Sequence, residues 1–251
     1  MTLKQETVLY EMNDNVATIT LNRPQVKNAL NFAMHDELFA AFNEANHDNN
    51  VKVIILRGSG DAFSAGADLK SFSLEDRENI DYGHYLRETY NRLILFISDI
   101  PKPIIAYLNG TAVGAGLSIA LACDFRVASY DARVALSFLK IGLVPDAGAS
   151  YFLPRLVGLG KAMELALGES LTAEEAYRIN LINKIGSPDE LAASLANTPA
   201  EAYGWMKQNM KEGFEKSLAE VLEMEVTAQS KAGSSEEHLA ALQQFLGRST
   251  H

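Results

Sequence analysis

The segment from Pro103 to Asp124 limits the possible folds more than any other part of the chain. An apolar run, Pro103 to Leu108, ends at Asn109-Gly110 and gives way to NGTAVGAGLSIALACD, where small residues lead into a helical pattern. A short, unbroken apolar run reads as a strand buried on both faces, as in parallel sheets covered by helices. Ala112, Gly114, Ala115 and Gly116 carry almost no side chain, so a ligand can lie directly against the backbone. A helix starting there leaves its first N–H groups unpaired, with partial positive charge behind them. Such an end can bind phosphate, or stabilise an oxygen that turns negative during a reaction. Close packing of a helix on a sheet is the competing explanation.

A second stretch of the same character lies upstream. The apolar strand Val51 to Leu56 closes at Arg57-Gly58 and is followed by SGDAFSAGADLK. Each stretch places Ala-Gly pairs where a helix begins, Ala65-Gly66-Ala67 in one and Gly114-Ala115-Gly116 in the other. Open α/β folds put ligands at strand carboxyl ends. One N–H from each stretch, converging on a single carbonyl oxygen, would form an oxyanion hole made only of backbone.

The remaining pattern is consistent with an α/β chain. Val8 to Met12 and Val16 to Leu21 alternate around Asn13-Asp14-Asn15 and predict a hairpin. Phe32 to His47 predicts a helix capped by Asn28 or Asn31. Another helix is expected over Tyr85 to Ile97, stopped by Pro101 and Pro103, and strands over Ile104 to Leu108, Phe125 to Ala128 and Val134 to Leu136. Lys140 to Pro154 reads as a loop with a turn of helix, and from Lys161 onward the pattern is almost wholly helical. Alternating strands and helices imply a largely parallel sheet with an added helical layer.

Charge and composition remove several classes of function. With 22 basic and 32 acidic residues the net charge is −10, which opposes general nucleic-acid binding. The single cysteine, Cys123, sits in an apolar run; it reads as core, and neither an internal disulfide nor a cysteine metal cluster is possible. None of the five histidines falls in a metal-ligand pattern, so no metal is expected. MTLKQETVLYEMND lacks a signal-peptide apolar segment, and no apolar run approaches the roughly 18 residues of a membrane span. A cytoplasmic protein without membrane partners is expected.

Six pieces in order, NRPQVKNALN, DAFSAGADLK, PKPIIAYLNGTAVGAG, ACDFRVAS, IGLVPDAGASYFLPRLVG and LTAEEAYRINLIN, resemble the crotonase superfamily, the enoyl-CoA hydratase/isomerase family. The match runs from about Val8 to Asn183, with a helical match beyond. The resemblance implies a ββα spiral core over residues 1–190 that binds acyl-CoA. It also implies a helical region, 191–251, that serves trimerisation and covers a site. Homotrimers or hexamers, a role in fatty acid metabolism, and no cofactor apart from the coenzyme A of the substrate follow from it. By motif match, the thioester oxygen is held by the N–H groups of Ala67 and Ala115, the latter a position where the family more often has glycine.

The same match carries the acid–base argument. The two glutamates of family hydratases fall on Ser118 and Phe138, neither of which is a carboxylic acid. Each such group is typically worth about 10² to 10⁴ in rate, so ordinary hydration is not expected. Asp146, in LVPDAGAS, stands where hydratases commonly have glycine and resembles the aspartate-bearing isomerase and dehalogenase branches. An N-cap is the structural alternative for Asp146. The dehalogenase pattern also matches Ser150 and Tyr151, but its water-activating histidine falls on Leu95 and its tryptophan on Phe138. An aspartyl nucleophile without that base would stall as an ester.

A lone aspartate suits proton shuttling beside the thioester, and an apolar surround of Leu95, Phe138, Leu143 and Val144 would raise its pKa. The expected activity is therefore isomerisation of an enoyl-CoA double bond. The alternatives are a weak hydratase, other enolate chemistry such as a hydrolase or lyase, and a non-catalytic acyl-CoA-binding protein. Further resemblance assigns Lys27, Lys70 and Arg248 to the coenzyme A phosphates, and the backbone oxygens of Val26 and Ala65 to its adenine. Leu69 lies in the same substrate loop, with Asp68 fixing the loop in place. Ser118, three residues after Ala115 on one helix face, is a candidate to orient substrate or water, with a structural role as the alternative. His84, with Tyr82 and Tyr85, falls in the expected pocket lining, Ser71 to Tyr90.

Overall fold

The computed structural model describes residues 7–71 and 80–248. Of the stretch expected to line the pocket, Ser71 to Tyr90, residues 72–79 therefore fall outside the described residues.

The chain opens with the hairpin of β1 (Val8–Asn13) and β2 (Val16–Leu21), antiparallel with Asn13 opposite Val16. Asp14 and Asn15 turn it at φ 47° and 66°, the left-handed pair that a tight two-residue hairpin requires and that these residue types tolerate. Helix α1 (Phe32–His47) follows, capped by the Asn31 side chain, which accepts from the Met34 N–H. Asn28, the other capping candidate, has a different role described below.

Three successive strand pairs then build a spiral. They are β3 (Val53–Gly58) with β4 (Ala62–Ser64), β5 (Ile104–Leu108) with β6 (Thr111–Val113), and β7 (Phe125–Ala128) with β8 (Arg133–Ala135). The first member of each pair enters a six-stranded sheet of order β1-β2-β3-β5-β7-β10, with Lys184–Ile185 as β10, and the second enters a four-stranded sheet of order β4-β6-β8-β9, with Leu171–Thr172 as β9. From β2 to β10 the larger sheet is parallel. Glycine makes two of the corners. A Cβ on Gly58 would lie 2.0 Å from the Ala62 oxygen, and one on Gly110 would lie 2.0 Å from the Asp61 oxygen. The Asn109 side chain ties the corners together by accepting the Gly58 N–H at 2.8 Å.

The unbroken apolar character of β3 has a direct cause. Ile54 and Leu56 face the main core with Phe42, Phe63 and Ile97, while Val53 and Ile55 face a second cluster with Ile105, Val127, Leu195 and Tyr203. Alternate residues of one strand thus bury both faces. Helix α4 (Ala115–Ala122) is buried at all eight positions, which accounts for its lack of a polar side.

Between β4 and β5 the chain forms α2 (Tyr82–Leu86), a π-helical turn (Arg87–Asn91) and α3 (Arg92–Asp99). The expected uniform helix from Tyr85 to Ile97 is thus interrupted by a wider turn. The region expected as a loop up to Pro154 holds a 3₁₀ turn (Phe138–Ile141) and then α5 (Ala149–Val157). After α6 (Leu159–Ala166), the expected all-helical run is broken by the two-residue strands β9 (Leu171–Thr172) and β10 (Lys184–Ile185), which flank α7 (Ala173–Arg178). These strands exist because β8 and β7 offer edges to pair with; two residues have no periodicity of their own.

Only helices follow among the described residues: α8 (Asp189–Ala196), α9 (Ala200–Glu212), α10 (Leu218–Gly233) and α11 (Glu236–Arg248). Helix α9 is fastened to the core by the buried Lys207 ammonium, which donates to Asp124 at 2.6 Å and to the Lys102 oxygen at 3.1 Å. No helix among the described residues is long and apolar enough to cross a membrane.

Candidate active site

The two small-residue stretches lie side by side because β4 and β6 pair in parallel, Ser64 opposite Ala112. A Cβ on Gly66 would come within 2.8 Å of the Val113 oxygen and 3.4 Å of the Ala115 nitrogen, and Gly66 has φ +88°. A Cβ on Gly116 would meet the Ser64 side chain at 2.6 Å. Glycine at both positions is what allows the second stretch to press against the first. Leu30 and Ala67 form a parallel bridge in which the Leu30 N–H donates to Gly66 and the Asp68 N–H donates to Leu30. That pattern leaves the Ala67 N–H outside the pairing. Ala115 is the first residue of α4, and among the described residues neither its N–H nor that of Ala67 donates to another group of the chain. Two free amides therefore come from backbone segments in contact.

Polar side chains hold this arrangement in place. Asn28, fully buried at φ +54°, donates to the Ser59 and Ala62 oxygens and accepts the Arg23 N–H. The Ser64 hydroxyl donates to the Asn28 oxygen at 2.8 Å and accepts the Gly66 N–H. Asp68 pairs with Arg23 at 2.8 Å and accepts the Lys70 N–H, so it fixes its loop as expected. Asn28 and Ser64 are structural determinants of the site that sequence reasoning missed. The only signal was the ability of asparagine to occupy left-handed backbone.

Around these amides lies an exposed rim. Val26, Lys27, Ala65, Leu69 and Lys70 are all exposed, and the Ala65 N–H donates to the Lys27 oxygen, joining the two loops that carry them. The structure brings these five candidates to one edge. Arg248 ends α11, and its side chain lies outside the described residues.

Ser118 is placed differently from the candidate role. It is fully buried, and its hydroxyl donates to the Gly114 oxygen one turn back at 3.2 Å, so it serves the first turn of α4. Phe138 is buried with its ring beside Gly114; a Cβ there would lie 3.9 Å from the Phe138 ring.

Asp146 sits in the turn before α5. The capping alternative fails, because α5 starts after Gly148 with no side-chain cap. Among the described residues the Asp146 carboxyl makes no hydrogen bond, and its Oδ1 is buried. Burial alone pushes its pKa up from 3.8 to about 6.

Two of the four residues expected in its surround are placed elsewhere. Leu95 and Val144 are 67% and 72% exposed and cannot line the carboxyl within this chain. The π turn adds one residue to the helix and rotates the face that follows. As a result Ile94 lies against this turn, its Cγ2 3.2 Å from a Cβ built on Gly148. Asp146 instead lies within electrostatic reach of Tyr85 and Tyr90. Tyr90 meets the His35 ring edge-to-face at 4.3 Å between centroids, and Tyr85 meets Phe32 at 4.9 Å. Burial holds His35 neutral, with a pKa lowered to about 4. The sequence reading put Tyr85 in the expected pocket lining, but the packing of these rings on His35 and Phe32 escaped it. His84, by contrast, is exposed.

Comparison with known proteins identifies the family. The family model described as enoyl-CoA hydratase/isomerase matches residues 11–250. The chain belongs to this family. A probable enoyl-CoA hydratase of Rhodobacter capsulatus is 38% identical, over 97% of this chain and 96% of its own. The 1,2-epoxyphenylacetyl-CoA isomerase of Escherichia coli is 32% identical over the same shares. Among solved structures, an enoyl-CoA hydratase/isomerase from Mycobacterium abscessus superposes with a TM-score of 0.88 at 34% identity, covering 96% of each chain. The mixed α/β spiral is thus the crotonase fold, and membership of an acyl-CoA-processing family implies an acyl-CoA substrate.

Proposed function

We propose that the enzyme moves a carbon–carbon double bond within an enoyl-CoA thioester. The thioester oxygen takes hydrogen bonds from the Ala67 and Ala115 amides, and negative charge grows on it as the adjacent carbon loses a proton. Asp146 accepts that proton as a carboxylate. It then returns the proton two carbons along the dienolate, which shifts the double bond and regenerates the carboxylate. The observation that carries this reading is the buried, unpartnered carboxyl of Asp146 with a pKa of about 6. A group poised there is ionised at neutral pH yet holds a captured proton well enough to donate it.

Hydration needs a second acid–base group. The two positions where family resemblance put one are a buried serine bonded to its own helix and a phenylalanine. Aspartyl-ester chemistry is disfavoured because Leu95, the position matched to the water-activating histidine, is exposed and apolar. The aromatic cluster of Phe32, Tyr85 and Tyr90, together with the likeness to an isomerase named for a ring epoxide, favours a ring-bearing acyl group as a second substrate class.

The test is a panel of 3-enoyl-, 2-enoyl-, dienoyl- and aryl-CoA thioesters, followed by ultraviolet absorbance and by deuterium uptake at the α carbon. Wild-type enzyme is expected to exchange the α proton and shift the double bond, and Asp146→Asn to bind the thioester without doing either. Equal turnover by the variant refutes the mechanism. Binding without exchange by the wild type supports a non-catalytic acyl-CoA-binding protein instead.

A further inference from the structure

Among the described residues, two buried oxygens within electrostatic reach of each other lack the full hydrogen bonds that burial demands. One is Asp146 Oδ1; the other is the Tyr90 hydroxyl, on a side chain only 1% exposed. The neighbouring Tyr85 phenol is a weak hydrogen-bond partner for that hydroxyl, close enough to couple to it but outside full hydrogen-bond geometry. An unmet polar atom in the interior costs about 1–3 kcal/mol, so a pair of them on facing elements calls for an explanation. Tyr90 is also part of the π turn Arg87–Asn91. Single π turns occur often at functional sites, because they re-aim side chains at some expense in helix geometry. Here the wide turn brings Tyr90 back over Tyr85, five residues earlier, with ring centroids 5.9 Å apart. The next turn, at Ile94, packs on the segment that carries Asp146.

We propose that Tyr90 is a positioning residue for Asp146, its hydroxyl donating to the inner carboxylate oxygen and leaving the outer oxygen to face the substrate carbon. A short rotation of the Asp146 side chain accompanies closure on the thioester and forms the bond. The inference rests on the reading of Asp146 as the proton carrier. The π turn then has a purpose, since it presents one phenol to one carboxylate from a packed wall. His35 holds that wall by its edge-to-face contact with Tyr90.

Among the described residues, the ionisable groups around Tyr90 and Asp146 are His35 from α1, Tyr85 from α2, and Asp68, which acts on Tyr85. His35 titrates near pH 4 and Tyr85 near 12, so an inflection in activity near pH 6 reports Asp146. A hydrogen bond to the charged form favours ionisation. Removing it by Tyr90→Phe is therefore expected to move the acid inflection of kcat/KM up by about one pH unit, a tenfold change in proton affinity, with KM at high pH changed less than twofold.

A second readout needs no turnover. The carboxyl stretch of Asp146, isolated as the infrared difference between wild type and Asp146→Asn with a bound non-reactive saturated acyl-CoA, should titrate at higher pH in the Tyr90→Phe background. An unchanged inflection in both measurements overturns the inference, as does loss of turnover and of thermal stability together with no change in either titration. If Asp146→Asn itself keeps turnover, the parent reading fails. If Asp146→Asn is inactive while Tyr90→Phe titrates like the wild type, only the present inference fails.

Discussion

Replacing Asp146 by asparagine should remove activity and at the same time stabilise the fold near neutral pH. The carboxyl has a pKa of about 6 in the folded chain against an ordinary 3.8. An acid whose folded pKa is raised contributes its full relative stability below about pH 4 and loses it as pH rises through about 6. A hundredfold change in proton affinity corresponds to about 3 kcal/mol at the limit, and to about half of that once the partial opening of the carboxyl to solvent is allowed for. His35 acts in the opposite direction. Its pKa falls from 6.5 to about 4, so its stability is intact above pH 6.5 and is lost as pH falls toward 4, about 3 kcal/mol in all.

The wild type should therefore hide two opposed dependences in one pH window. Relative to wild type, Asp146→Asn gains about 1.5–3 kcal/mol at pH 7, and the gain shrinks to about a third of that at pH 4.5. His35→Phe gains nothing from titration at pH 7 and about 3 kcal/mol by pH 4. Urea unfolding at one fixed protomer concentration, followed by circular dichroism at pH 7, 5.5 and 4.5, measures both differences. A difference between Asp146→Asn and wild type that is the same at pH 7 and pH 4.5 would show that the carboxyl is not desolvated, and the catalytic argument built on it would fall.

Other outcomes follow from the same geometry. Gly66→Ala puts a methyl 2.8 Å from the Val113 oxygen at φ +88°; separating the two stretches should lower turnover by about 10²-fold or more, with far-ultraviolet dichroism retained. Lys27→Ala with Lys70→Ala, both on the exposed rim, should raise KM for the coenzyme A thioester several-fold and leave that for the pantetheine thioester unchanged. Lys207→Met strips the buried Asp124 carboxylate of its closest cation, at 2.6 Å, and should cost about 3–5 kcal/mol, read as a lowered urea midpoint.

Much of this molecule is written locally. The hairpin tip at Asp14-Asn15, the two-faced strands β3 and β5, and the paired small-residue stretches all follow from residue size, backbone tolerance and the period of apolar side chains. Those properties act over a few neighbours, so a linear reading detects them. Asp146 was also legible as a candidate, through an acidic residue where the family resemblance commonly has glycine. Folding in three dimensions decided the rest. The π turn, the approach of His35, Tyr85, Tyr90 and Asp146 from three separate segments, the inward turn of Ser118 and the outward turn of Leu95 depend on how the spiral closes. So does the raised pKa, since desolvation belongs to the assembled surroundings of a group and not to its place in the chain.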